Sequence, residues 1–164
     1  MKKLLALIFS IFFILAGLSV TSPAQITVEE VLERGPHLLR GGQYRTVIEM
    51  IKALPDEKRN SISILILESF ANLKAWGADR EVGKKKRWLD LYYEIKSYSE
   101  SKATPVLLEI LKDPDPRIRY YTIDFLKAHG DQRAIAVLEE LSKNDPHKDV
   151  RSIAVKALEV IRTR

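Results

Sequence analysis

The chain has 164 residues, with 27 Lys and Arg against 22 Asp and Glu for a net charge of +5, and it contains no cysteine. The absence of thiols excludes disulfides, cysteine-type zinc sites and thiol catalysis. So mild a charge lacks the concentrated basic face of a nucleic-acid binder.

Lys2 and Lys3 precede Leu4–Val20, a run of 17 residues without a charge, and Ser22-Pro23-Ala24 then offers small residues at the −3 and −1 positions of a signal-peptidase site. Residues 1–24 read as a secretory signal peptide cut after Ala24, which predicts a periplasmic or secreted protein. The competing reading is an uncleaved N-terminal anchor in the inner membrane. The run lies at the short edge of the roughly 17–25 apolar residues that span a bilayer, and Ser10, Gly17 and Ser19 weaken it. Lipidation after Leu15-Ala16-Gly17 is excluded because Leu18 stands where a cysteine is needed. Residues 25–164 would form the mature protein, 140 residues with a net charge of +3, enough for a single domain with a continuous core.

Eight helices and no strand are predicted in that part. Thr27 caps the first, with Glu30 placed to complete a capping box, and Gly35-Pro36 interrupts or kinks it. Gly41-Gly42 makes a turn; Tyr44, Val47, Ile48, Ile51 and Leu54 then recur at helical spacing until Pro55 stops the helix. Ser61–Leu73 has the β-branched alternation of a strand. It also carries two apolar helical stripes, Ile62, Leu65, Ile66, Phe70, Leu73 and Ile64, Leu67, Ala71, which argue for a buried helix. A further helix after Gly77 sets Trp88, Leu91, Tyr92, Ile95 and Tyr98 on one face. Ser97–Ser101 is a polar linker. Thr104 and Asp115 are expected to cap the next two helices, each followed by Pro at the first helical position. Gly130 suits a left-handed C′ position, Asp131 caps the seventh helix and Pro146 opens the eighth.

Residues 104–162 contain one helical hairpin written twice. At an offset of 31, Val106, Leu107, Glu109 and Lys112 recur as Val137, Leu138, Glu140 and Lys143. After one inserted residue the offset becomes 32, and Asp113, Pro114, Arg119 and Leu126 recur as Asp145, Pro146, Arg151 and Leu158. A period of this length marks a stacked solenoid, whose units bury their apolar faces against one another. The expected fold is an all-α, right-handed α-solenoid of about four helical hairpins.

The Asp-Pro-Asp-Pro-Arg-Ile-Arg turn of residues 113–119, the aliphatic helix behind it and the 31/32 period resemble HEAT-like repeats. The resemblance is closest to the short bacterial variety also seen in bilin-lyase-type proteins. In the second copy His147-Lys148-Asp149 replaces the Asp-Pro pair. Upstream, Leu38-Leu39-Arg40-Gly41-Gly42-Gln43-Tyr44 with the following apolar helix is similar to the corner of a tetratricopeptide repeat. Residues 25–101 thus read as degenerate tetratricopeptide/HEAT-like hairpins and 102–164 as two HEAT-like repeats. Both families are usually protein-interaction scaffolds, so the resemblance implies a partner protein.

Asp113, Asp115 and Asp145, with Arg119 and Arg151, are the most repeated polar residues; Asp113 and Asp115 could be read as ligands for a hard cation, but two carboxylates are too few. Capping, and ion pairing between successive repeats, is the preferred reading. His37, His129 and His147 fall in three different repeats near helix ends, and none belongs to a catalytic or phosphate-binding motif. His129 lies in a last helical turn, where the helix dipole favours a cation. No catalytic residue, metal ligand or cofactor is identified.

Two binding surfaces remain. Tyr120, Asp124 and Lys127, with Lys156 and Glu159 one repeat later, are expected on the accessible face formed by the second helices. Lys84, Lys85, Lys86 and Arg87 beside Trp88 form a basic patch for an anionic surface or lipid headgroup, or else a solvated helix face. The leading functional expectation is an exported, non-enzymatic scaffold for a protein partner in the cell envelope. An anionic-surface binder and a bilin-lyase-like protein are the alternatives.

Overall fold

The computed structural model describes residues 26–98 and 103–164, so the expected signal peptide and most of the 97–101 linker lie outside the described residues. Among the described residues there are eight α-helices and no strand: α1 Val28–Arg40, α2 Tyr44–Ala53, α3 Ile62–Asp79, α4 Val82–Ser97, α5 Thr104–Ile110, α6 Pro116–His129, α7 Ile135–Asn144 and α8 Lys148–Arg162. Short 3-10 turns at Asp56–Lys58 and Gln132–Ala134 lead into α3 and α7. The fold is all-α and solenoid-like.

Side-chain caps open two of these helices, α1 and α6. Thr27 Oγ1 accepts the Glu30 amide at 3.1 Å, although the Glu30 carboxylate pairs with Arg34 and does not reach back to complete a capping box. Asp115 accepts the Arg117 amide at 2.9 Å; Asp131 accepts that of Arg133 at 3.0 Å and so caps the 3-10 turn Gln132–Ala134, not α7, whose own N-cap Ala134 makes no side-chain bond. Gly42 takes φ +76°, a left-handed turn that glycine adopts without strain.

Several expected boundaries move. Pro36 sits inside α1, which is one continuous helix. Helix α3 runs for 18 residues through Gly77 to Asp79, and Arg80 supplies the left-handed cap at φ 56°. Gly77 serves close packing: a Cβ there would lie 3.1 Å from the Arg117 guanidinium. Thr104 is the first residue of α5 and its hydroxyl donates to Asp131 Oδ2 at 3.1 Å. Pro146 precedes the cap residue His147, and α8 starts at Lys148. Gly130 is extended (φ −72°, ψ 160°), not left-handed. Its small size matters because a Cβ would stand 2.5 Å from the Leu126 carbonyl oxygen.

The helices pair as hairpins, with α3 against α4, α5 against α6 and α7 against α8, while α4, α6 and α8 lie side by side. Helix α3 is apolar all round, and Ile64, Ile66, Leu67, Phe70 and Ala71 are wholly buried. One core runs from Val31 to Ile161. Helix α1 packs against α2 and α3 and also against α5, two hairpins further along. Arg40 donates to the Glu109 carbonyl at 2.8 Å, and Lys74 joins the Leu39 carbonyl to the Asp113 carboxylate, each at 2.7 Å.

The repeated turn residues form a ladder. Arg119 donates to the carbonyls of Asp113 and Pro114 in its own turn, at 3.0 and 2.9 Å. It also clasps the next turn's Asp145 with two bonds, Nε to Oδ2 at 2.7 Å and NH2 to Oδ1 at 3.0 Å. Burial raises the Asp145 pKa, but Arg119 and the His147 amide outweigh it and hold the carboxyl below its ordinary value. Arg119 and Asp145 thus join the two repeats, as expected of the arginines and turn acids, whereas Arg151 reaches only the carbonyls of its own turn.

Candidate functional site

The side-by-side packing of α6 and α8 creates a groove of about 440 Å³ along their N-terminal parts. Pro116, Arg117, Tyr120 and Tyr121 form one wall; His147, Asp149, Ser152, Ile153 and Lys156 form the other. The repeat explains why these side chains meet. Tyr120 and Ser152 are equivalent residues one period apart, and Lys156 lies one turn beyond Ser152 on the same stripe of α8. Arg117 is committed to Asp115 at 2.7 Å, whereas Lys156 is exposed and has no anionic partner among the described residues.

An aromatic band continues the groove wall toward α4. Tyr120 meets Tyr121 at a centroid distance of 5.4 Å, Tyr121 meets Trp88 at 5.0 Å, and Trp88 stacks on Trp76 at 6.3 Å with a 7° interplanar angle. Tyr92 joins this group through Tyr121, and through Phe125 it reaches Phe70. Tyr93, 69 % exposed, packs its ring edge on Tyr92. Edge-to-face aromatic contacts each add about 0.5–1.5 kcal/mol beyond burial, so the band is a rigid platform. The sequence set Trp88 and Tyr92 on one face of α4 but gave no sign that they meet Tyr121 of α6 or Trp76 of α3, which only the packing of those helices decides.

Of the five residues expected on the accessible face, the groove brings together Tyr120 and Lys156. Glu159 is exposed on α8 but lies outside the groove, and Lys127 is half-buried. Asp124 is corrected: it is 6 % exposed, hydrogen-bonded by the Tyr92 hydroxyl and paired with Lys96 at 2.9 Å and Lys127 at 3.0 Å. Burial raises its pKa, yet Tyr92, Lys96 and Lys127 together bring it below the usual carboxylate value. Its place is under the aromatic band, tying α4 to α6.

The run Lys84–Arg87 does not make one patch. At about 100° per residue its members point around α4. Arg87 is held by both oxygens of Glu68 at 2.8 and 3.1 Å, and Lys85 lies 5.1 Å over the Trp76 ring. Lys84 and Arg87 line a second cavity, of about 620 Å³, in which Asp56, Glu68 and Glu81 balance much of the positive charge.

Among the histidines, His129 departs from expectation. It is 2 % exposed, and neither ring nitrogen has a well-formed hydrogen bond. Burial lowers its pKa, and only the Ile95 backbone opposes this, so the helix dipole does not make it a cation. His37 contacts Arg40 at 2.6 Å, and His147 lies 3.9 Å from Asp149. No group of three or more His, Asp or Glu among the described residues is placed to hold a metal ion. No helix among them is long and apolar enough to cross a membrane.

Residues 91–159, from within α4 to the last turns of α8, match the family model for HEAT repeats. Over this segment the chain is a HEAT-like repeat protein. No curated protein and no solved structure matches it. HEAT repeats generally mediate protein–protein interaction, and the family is typically a non-enzymatic scaffold. The HEAT segment contains the whole groove and the Tyr92, Tyr93, Tyr120 and Tyr121 part of the band.

Proposed function

We propose that this protein is an exported, non-enzymatic HEAT-repeat module, one domain after a cleaved signal peptide, that binds a protein partner of the cell envelope in the α6–α8 groove. The observation that carries the reading is the groove itself, where tyrosines on a rigid aromatic platform face an unpaired lysine. Tyrosines anchor protein interfaces because they bury a large area and lose little side-chain entropy. The export part rests on the charged start, the uncharged Leu4–Val20 run and the Ser22-Pro23-Ala24 site.

Crosslinking and affinity capture from envelope extract tests the binding surface. Wild type is compared with Tyr120→Ala/Lys156→Ala and with a variant in which Lys84–Arg87 are all Ser. Loss of a specific protein partner in the first variant alone supports the groove. Loss in the second alone transfers binding to α4, and equal capture by all three refutes the groove as the site. For export, mass spectrometry of the protein from its native cell should find an N-terminus at Gln25 in the soluble fraction. An N-terminus at Met1 with membrane retention would favour an anchor.

A further inference from the structure

The α8 wall of the α6–α8 groove carries two opposite charges. Asp149, Ser152, Ile153 and Lys156 follow at intervals of three and four, so they form one stripe along the groove. Lys156 has no anionic partner among the described residues, and Asp149 has no Lys or Arg partner. Its neighbour His147, at 3.9 Å, pairs with it only when protonated. The charges of the α6 wall are already spent. Arg117 holds Asp115 at 2.7 Å, and Asp124, the α6 equivalent of Lys156, is buried under Tyr92, Lys96 and Lys127. The groove is therefore negative at one end and positive at the other. Seven helical residues separate these ends, about 10.5 Å at 1.5 Å per residue. Between them lie Ser152 and Ile153, whose α6 equivalents are Tyr120 and Tyr121. The hydroxyls of Tyr120, Tyr121 and Ser152 have no hydrogen-bond partner among the described residues.

We infer that the groove selects a partner segment in the polyproline II conformation, with an acid for Lys156 and a Lys or Arg for Asp149 three positions apart and a proline between them on the tyrosines. The inference rests on the α6–α8 groove being the binding surface. Polyproline II has three residues per turn and a rise of about 3.1 Å, so residues i and i+3 share a face about 9.3 Å apart. That matches the two charged ends. One of the residues between them is turned about 120° away, toward the tyrosine wall. A β-strand does not fit, because its same-face residues i+2 and i+4 lie about 7 and 13 Å away. A helix could set charges at i and i+7, but its carbonyls are engaged within the helix. Polyproline II has no internal hydrogen bonds, so its carbonyls are free to accept from the three unengaged hydroxyls. Tyrosine-lined grooves take such segments because the ligand loses little entropy on binding. The tyrosines supply most of the affinity, and the two exposed charges set specificity and register.

Selection from a library of random linear peptides on the purified protein tests this. Enriched peptides should share one acid and one base three positions apart with a proline between them. Asp149→Lys makes both ends positive and should enrich two acids at the same spacing; Lys156→Glu should enrich two bases. Circular dichroism of each variant should match wild type, and the wild-type consensus decides the spacing independently of both. Replacing the acid of a selected peptide by its amide should weaken binding about two- to fivefold, the size of an exposed ion pair. Tyr120→Ala should weaken it by more than about tenfold. Peptides that need Tyr120 but carry charges two, four or seven positions apart, or no charges, overturn the inference and leave the groove standing. A charge preference unchanged in folded Asp149→Lys and Lys156→Glu does the same. Peptides that bind wild type and Tyr120→Ala equally refute the groove itself, and a library that enriches nothing overturns the inference.

Discussion

Arg119→Met should remove the strongest single tie between the two HEAT hairpins. Arg119 is 9 % exposed and makes four hydrogen bonds, two to Asp145 and two to the carbonyls of Asp113 and Pro114. Methionine keeps the apolar stem but strands the Asp145 side chain, which is 2 % exposed and retains only the His147 amide at 2.8 Å. Removing one partner of a buried ion pair costs about 3–5 kcal/mol, because the remaining charge is left uncompensated. Urea unfolding followed by the fluorescence of Trp76 and Trp88 should show the loss. With a slope of about 1–3 kcal/mol per molar urea, the midpoint should fall by more than about 1 M. In wild type the folded Asp145 pKa is depressed, so its stabilising contribution is complete above about 3.9 and disappears as pH falls through the folded value. The variant holds an uncompensated carboxylate that protonates more readily, so the gap from wild type should narrow below about pH 4. A loss under about 1 kcal/mol at pH 7, or a gap constant down to pH 3, would refute the assignment of this pair as the inter-repeat tie.

Phe125→Ala, at a wholly buried ring between Phe70 and Tyr92, should cost about 3–5 kcal/mol in the same titration. Lys127→Ala should cost about 0.5 kcal/mol, because Asp124 keeps Lys96 and Tyr92; equal effects would mean the face assignment is wrong. Buried His129 has a lowered pKa and stands near the cations Lys96 and Arg164, so the folded state resists its protonation. Stability should therefore fall as pH drops below about 6.5, and His129→Leu should flatten the melting temperature between pH 5 and 7.5; an unchanged slope would dismiss His129 as the titrating group. Gly130→Ala forces a Cβ to 2.5 Å from the Leu126 carbonyl and should lower the melting temperature markedly. Gly83→Ala meets nothing within 4 Å and should be neutral or stabilising by up to about 1 kcal/mol, and the reverse order would contradict the backbone placement.

The repeat was legible in the sequence because its determinants are local or recur at a fixed offset. The caps at Thr27, Asp115 and Asp131 each act within three residues, and the two-sided apolar pattern of residues 61–73 marked a buried helix against its strand-like composition. The ladder of Asp145 and Arg119 could be anticipated because both sit at repeated turn positions. Half of the groove was legible for the same reason, since equivalent stripes on α6 and α8 must face one way.

Tertiary packing decided the rest. Asp124 lies on the stripe that should face outward, but α4 brings Tyr92 and Lys96, 32 and 28 residues away in sequence, over its carboxylate. A charge pattern along one helix contains no term for a neighbouring helix that covers it. The four cations of 84–87 separate for a related reason: contiguity in sequence becomes dispersion around a helix, and Glu68 on α3 then claims Arg87. Gly130 illustrates the limit most sharply. A glycine after a helix signals that something there forbids a side chain, but whether the cause is a left-handed backbone or a close approach depends on distances that only the packed chain sets. By itself the sequence determined that the chain would be helical, where some of its helices would begin, and which turns would repeat, because these follow from hydrogen bonds and apolar spacing within a few residues. Which side chains remain open at the groove was decided only by helices packing across distances that the linear order does not encode.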